Sequence, residues 1–254
     1  MKKTRFTINE PQYCNWDYVR YPAGKYYPAH HNITGGPRAR FLCGHHTLLA
    51  HAKVAKWYHE EFKGKGRITF KNSGNYYEAR TDSAADKVAR QRQFDFSVGW
   101  FGGPWTDGDY PKSLKDTLGD ILPKLTEAEK AMIKGSCDFY ALDGYTSYTA
   151  SGSRNFEACV SNSSYPGFPE CSSSSLIAAD GFPMGPAADP AMNWLASTPT
   201  GIRKFLSFLT KEYFPKITDI VVSEFGFAEP FEGKLTNMAS ILWDVRRAVS
   251  GMAG

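Results

Sequence analysis

Four short apolar runs, RFTI at 5–8, RITF at 67–70, CDFYAL at 137–142 and DIVV at 219–222, punctuate the chain, each followed by a segment whose apolar residues recur with helical spacing. The longest turn-rich stretches leave the C-terminal ends of these runs. Strand followed by helix, repeated, is the pattern of a parallel α/β sheet or a (β/α) barrel, in which each strand returns through a helical crossover. The spacing predicts helices over about 45–62 and 83–96, from the capping-box pattern Thr126-Glu127-Ala128-Glu129 to near Gly135, from just after Pro199 and Gly201 to about Phe214, and over about 235–249. The Gly-, Trp- and Pro-rich stretch GWFGGPWTDGDYP (99–111) is expected to be irregular, and 146–198 to be a long loop with little periodicity.

A chain of 254 residues with 42% apolar and 15% aromatic side chains has ample material for a buried core. Thirty basic against 26 acidic residues leave a net charge of +4 with no basic stripe, which argues against a nucleic-acid partner. No apolar run approaches the roughly 18 residues of a membrane span, and the opening MKKTRFTINEP turns polar before any signal-like stretch. Cys159 and Cys171 bracket a loop rich in serine, glycine and proline, and Cys14 and Cys43 bracket another. If both pairs form disulfides, Cys137 remains as a buried free thiol. Two glycosylation acceptors, Asn32-Ile33-Thr34 and Asn162-Ser163-Ser164, fall in the same loops. Two readings stay open: a secreted parent with disulfides, or reduced loop cysteines in a cytosolic protein. Localisation is therefore unknown.

Two glutamates stand directly beyond apolar runs, Glu10 after RFTIN and Glu224 after DIVVS. In parallel α/β architectures, active sites are assembled at the C-terminal ends of strands. Hydrolysis of a glycosidic bond with retention needs one protonated and one ionised carboxyl about 5 Å apart, which such a pair can supply. A strand-end glutamate taken alone is more often a solvated side chain or half of an ion pair. His45, His46, His51 and His59 share a predicted helix but lack H-E-x-x-H spacing, so no metal site is expected. Gly64-Lys65-Gly66 precedes a strand, which argues against a dinucleotide fingerprint, and neither a Walker motif nor a G-x-S-x-G elbow occurs. Trp100, Trp105 and Trp194 are candidates either for sugar stacking or for packing.

Thr7-Ile8-Asn9-Glu10-Pro11 resembles the acid/base motif T-[FLI]-N-E-P of glycoside hydrolase family 1, and Ser223-Glu224-Phe225-Gly226 resembles its nucleophile motif [TS]-E-N-G. Between them, in family order, lie HHTLLAHA (45–52), Gly108-Asp109-Tyr110-Pro111, DFYALDGYTS (138–147) and the run from Gly185-Pro186 to Trp194-Leu195. The nucleophile loop SEFGFAEPF (223–231) is similar to that of fungal β-glucosidase-like members, which share Phe225 in place of the motif asparagine. The resemblance implies a retaining β-glycosidase that hydrolyses β-D-glucosides without a cofactor, with Glu10 as acid/base, Glu224 as nucleophile, Asn9 on the sugar 2-hydroxyl and Tyr145 orienting the nucleophile. The family N-x-Y reads Asp143-Gly144-Tyr145 here and puts an extra negative charge near the sugar. An acidic pH optimum is expected, with Glu10 raised by the Glu224 charge and by burial.

The family fold is a (β/α)8 TIM barrel with the acid/base after strand four and the nucleophile after strand seven. The expectation is therefore an α/β chain forming one partial catalytic domain over 1–254. It would be truncated to the segment from barrel strand four to just after strand seven, about four of the eight β/α units. The family D-x-x-R is present as Asp244 to Arg247, after which AVSGMAG replaces the helix that should follow. The expected partner is a small-molecule or oligosaccharide β-glycoside, with no membrane and with self-association through exposed barrel edges. The alternative is a catalytically inactive remnant or carbohydrate-binding fragment.

Overall fold

The computed structural model describes residues 3–12 and 37–243. The sequon at Asn32, Cys14 and the Asp244 to Arg247 motif lie outside these residues. Strands β1 (Thr4–Asn9), β2 (Arg67–Ser73), β4 (Tyr140–Asp143) and β7 (Ile220–Glu224) form one sheet in the order β1-β2-β4-β7, all parallel. Strands β3 (Tyr76–Ala79), β5 (Ser147–Gly152) and β6 (Ser172–Ser175) form a second sheet in the order β3-β5-β6, with β3 and β5 parallel and β6 antiparallel. The helices are α1 (Pro37–Glu60), α2 (Ala84–Phe94), α3 (Trp100–Asp107), α4 (Lys112–Leu118), α5 (Glu127–Ile133), α6 (Phe156–Val160), α7 (Pro199–Phe208) and α8 (Met238–Leu242).

The expectation of a partial TIM barrel with about four of the eight β/α units is thereby corrected. Seven strands and eight α-helices are present among the described residues, in a (β/α)8-like arrangement. The four apolar runs mark only the central parallel wall. The three further strands read YYEA, SYTASG and SSSS, short and polar, without the apolar run that reveals a strand in sequence. Their pairing comes from tertiary context instead, since α2 and α7 pack against them.

Helix α3 is a second correction, because it runs through the stretch expected to be irregular. It continues α2 through a π-turn at Asp95–Gly99, so no new helix has to be nucleated. Trp100 and Phe101 are fully buried, and that burial outweighs the poor helix propensity of Gly102, Gly103 and Pro104. Small residues serve close approach here: a Cβ at Gly102 would lie 2.6 Å from the Phe214 ring, and one at Gly44 would lie 2.3 Å from Trp100. The capping box forms at the start of α5, where Thr126 accepts from the Glu129 backbone and the Glu129 side chain returns to the Thr126 backbone.

Two apolar cores lie around the parallel wall. One gathers Phe41, Leu48, Phe70, Trp100, Phe101 and Leu114; the other gathers Phe94, Tyr140, Leu142, Phe205, Phe208 and Leu209. Cys159 and Cys171 form a disulfide, Cys43 is disulfide-bonded, and Cys137 is free and buried. No described helix is long and apolar enough to cross a membrane.

Candidate active site

Strands β1 and β7 are the outer members of the four-stranded wall, three strand spacings apart, or about 14 Å if the sheet were flat. Yet carboxylate oxygens of Glu10, at the tip of β1, and Glu224, the last residue of β7, lie within 4.8 Å of each other and of Asp143 at the end of β4. The side chains of the two outer strand ends therefore converge over the end of β4, as they do on the inner face of a (β/α)8-like wall.

Backbone hydrogen bonds fix these tips in sequence across the wall. The Glu10 amide donates to the Lys71 carbonyl on β2 at 3.0 Å, Gly74 donates to the Asp143 carbonyl at 3.1 Å, and Gly144 donates to the Glu224 carbonyl at 3.1 Å. Glu10 itself adopts φ 45°, a left-handed conformation that costs a non-glycine residue about 1–3 kcal/mol and turns the chain off β1 before Pro11. It is buried, at 6% exposure. Asn9 pairs with Lys71 in the β1–β2 register and is exposed.

Glu224 accepts on both carboxylate oxygens. The Tyr145 hydroxyl donates to Oε2 at 2.7 Å and the Lys71 ammonium donates to Oε1. Lys71 Nζ also stands 3.4 Å from Asp143 Oδ2, in an ion pair. Asp143 is fully buried; its Oδ1 accepts from Ser223 Oγ at 2.6 Å, while Oδ2 has no hydrogen bond. Trp194 is partly exposed and meets the Tyr145 ring edge-on at 5.8 Å, whereas Trp100 is core and Trp105 is partly buried between the two cores.

The ionisation of these groups follows from that geometry. The hydrogen bond from Lys71 holds Glu224 below the usual glutamate range, helped by Tyr145 and opposed by burial. Burial pushes Asp143 above the usual aspartate range, the Glu224 charge adds to this, and the bond from Ser223 and the Lys71 charge oppose it. For Lys71, burial works against the ammonium, but the bond to Glu224 and the charges of Asp143 and Glu224 outweigh it and raise its pKa. Burial and then the Glu224 carboxylate raise Tyr145, keeping its phenol a donor. Of the helical histidines, His45 and His51 are buried and His46 and His59 are exposed. His51 is buried between Thr7 Oγ1 at 2.7 Å and the Cys137 thiol at 3.2 Å, where burial pushes it down to about 4 and the thiol up to about 12.

The structure thus brings Glu10, Glu224 and Tyr145 into one cluster, with Asn9 at the adjoining strand end. Lys71 was not visible as a site residue in the sequence, because the apolar run RITF ends at Phe70. In the fold, β2 continues to Ser73.

The sequence matches Glycosyl hydrolase family 1 over residues 2–242. It is 33% identical over 253 residues to beta-glucosidase 44 of Arabidopsis thaliana, covering 96% of this chain and 47% of that protein. It is 35% identical over 192 residues to beta-glucosidase 1B of Phanerodontia chrysosporium, covering 74% of this chain and 32% of that protein. The crystal structure of a GH1 beta-glucosidase from the fungus Humicola insolens in complex with glucose superposes with a TM-score of 0.85 at 27% identity, covering 98% of this chain and 51% of that one. The chain spans about half the length of these relatives or less. The family match also corrects the description of the chain as a piece cut from barrel strand four to just after strand seven: it takes in residues 2–242 of 254, so nearly the whole chain is family sequence. A match of that extent, with the same fold and the motif residues gathered at one strand-end cluster, establishes that the chain belongs to glycosyl hydrolase family 1.

Proposed function

We propose that the chain works as a single catalytic domain, a retaining β-glycosidase of β-glucosidase type that hydrolyses β-D-glucosides in carbohydrate catabolism. The observation that carries this reading is the approach of Glu10 and Glu224, from opposite ends of the chain, to within 4.8 Å at the strand tips. A carboxyl pair at the strand tips can serve a double displacement, one group as acid/base and the other as nucleophile. In the first step a Glu224 oxygen bonds to the anomeric carbon as the bond to the leaving oxygen breaks, and Glu10 gives that oxygen its proton. In the second, Glu10 takes a proton from water, the water oxygen bonds to the anomeric carbon, and Glu224 leaves as a carboxylate. Tyr145 orients Glu224 by its hydroxyl, and Asn9 meets the sugar 2-hydroxyl. The likeness to β-glucosidases of plants and fungi supports glucose as the glycone.

Self-association belongs to the same proposal. β7 is an outer strand of the parallel wall, and Phe225, Phe231 and Trp243 beyond it are exposed. A binding role without turnover has one observation in its favour, the Lys71 ammonium on the candidate nucleophile.

The test is incubation of the purified chain with a 2-deoxy-2-fluoro β-D-glucoside bearing an aryl leaving group, followed by peptide mass analysis, with size-exclusion chromatography on the same sample. A glycosyl adduct on the peptide containing Glu224, absent in Glu224→Gln, is expected. Binding of the glucoside by folded protein with neither adduct nor aryl release would replace the enzyme with a carbohydrate-binding protein.

A further inference from the structure

We propose that Lys71 is a positioning residue of this site, the counter-charge that allows a buried carboxylate to stand at 143 and that holds Glu224 as an oriented anion. The inference rests on Glu224 being the nucleophile, and it goes beyond that reading by assigning the site a cation and giving Asp143 a purpose.

Asp143 occupies the position where the family motif has a neutral asparagine, in a side chain with no exposure, and its Oδ2 takes no hydrogen bond. An ionised carboxylate placed there against Glu224 is unfavourable by desolvation and by like charge. Both ion pairs that the described residues make to Asp143 and Glu224 come from Lys71, whose side chain is 14% exposed. The groups that face this ammonium are Asp143 from β4 and Glu224 from β7, with the Phe6 ring of β1 5.9 Å away; Tyr145 and Ser223 are bonded to the two carboxylates it pairs, and a Glu10 oxygen lies within 4.8 Å of those carboxylates.

The pair also fits the reaction cycle. When a Glu224 oxygen becomes esterified to the anomeric carbon, Glu224 loses its charge and Lys71 would lose its main partner. Asp143 Oδ2, 3.4 Å away, takes over the ammonium in that intermediate and returns it when the ester is hydrolysed. A lysine at 71 with asparagine at 143 would lack this second anionic partner, and an aspartate at 143 with an apolar residue at 71 would be an uncompensated buried charge. Lys71 and Asp143 should therefore behave as one unit in a double-mutant cycle.

The experiment follows the Glu224 carboxyl by carbon-13 NMR in glutamate-labelled protein, assigned by its loss in Glu224→Gln. The variants are Lys71→Met, Lys71→Arg, Asp143→Asn and Lys71→Met/Asp143→Asn, each checked for near-UV circular dichroism. Lys71→Met should raise the Glu224 pKa by about one unit or more, the size expected on losing an opposite charge at contact. Lys71→Arg should hold it near the wild-type value, and the double variant should bring it back part of the way. Should Lys71→Met fail to fold, the double variant is compared with Asp143→Asn instead, and an equal Glu224 titration in those two overturns the proposal. The proposal is overturned if Glu224 titrates alike in Lys71→Met and wild type, or if the double variant lies no closer to wild type than Lys71→Met. Aryl-glucoside hydrolysis by the same samples keeps the two readings apart. A moved titration in a protein without turnover sinks the hydrolase and leaves the charge pairing, while turnover with an unmoved titration sinks the pairing alone.

Discussion

Asp143 is held above its ordinary aspartate range chiefly by burial, with the Glu224 charge adding to the shift and the bond from Ser223 and the Lys71 charge opposing it. Its folded-state pKa therefore exceeds that of the unfolded chain, about 3.9. Between those two values the folded protein binds more protons than the unfolded one, so stability falls as pH rises through that window. Below the window Asp143 imposes no charge penalty; above it the full penalty applies. Asp143→Asn should accordingly raise the Tm at about pH 7, and the gain should shrink towards about pH 4, as read by calorimetry at both values. A neutral-pH Tm lower than wild type would mean that attraction to Lys71 outweighs burial. At this scale the motifs made Glu10 and Glu224 visible, because each follows an apolar run at a strand tip. Lys71 was hidden, because only the register of β2 against β1 and β4 shows that its side chain belongs to the wall and not to a loop.

Element by element, the four parallel strands could be read from periodicity, as could the cap of α5, because apolar alternation and capping chemistry are local properties. Strands β3, β5 and β6 and helix α3 could not. A run such as SSSS becomes a strand only by pairing with β5, and a Gly-Gly-Pro segment becomes a helix only because α2 feeds it and its aromatic residues are buried. The loop around the Cys159–Cys171 disulfide is likewise fixed from outside. Arg92 on α2, 6% exposed, donates to the Glu170 carbonyl at 2.6 Å, the Pro169 carbonyl at 2.5 Å and Thr117 Oγ1 at 3.1 Å, and its guanidinium lies over Phe96 and Phe156. Arg92→Met would keep much of the bulk but orphan two carbonyls. The expected cost is about 2–4 kcal/mol, a Tm lower by roughly 5–15 °C in calorimetry. A shift under about 2 °C would show that water replaces the guanidinium and that the disulfide alone orders the loop.

Across the whole molecule, the strand-end site depends on the two cores that support the wall, and these touch through few side chains. Trp105 is partly buried against both, carries its ring 6.2 Å from Tyr140, and accepts the Gly135 amide on its carbonyl at 2.8 Å. It lies on α3, the helix that local propensity hides, so neither its place nor its bridging role could be read from the sequence. If it couples the cores, its removal should do more than create a cavity. Trp105→Ala is expected to cost about 3–5 kcal/mol and also to weaken cooperativity, because each core could then open without the other. Urea unfolding followed by far-UV circular dichroism and by tryptophan fluorescence reads both effects. Wild type should show coincident transitions, and the variant should show a lower m-value with the two probes separated. A variant that loses stability but keeps one coincident transition and an unchanged m-value would place the coupling elsewhere, in the backbone hydrogen bonds of the wall itself, where β2 and β4 meet between the two cores.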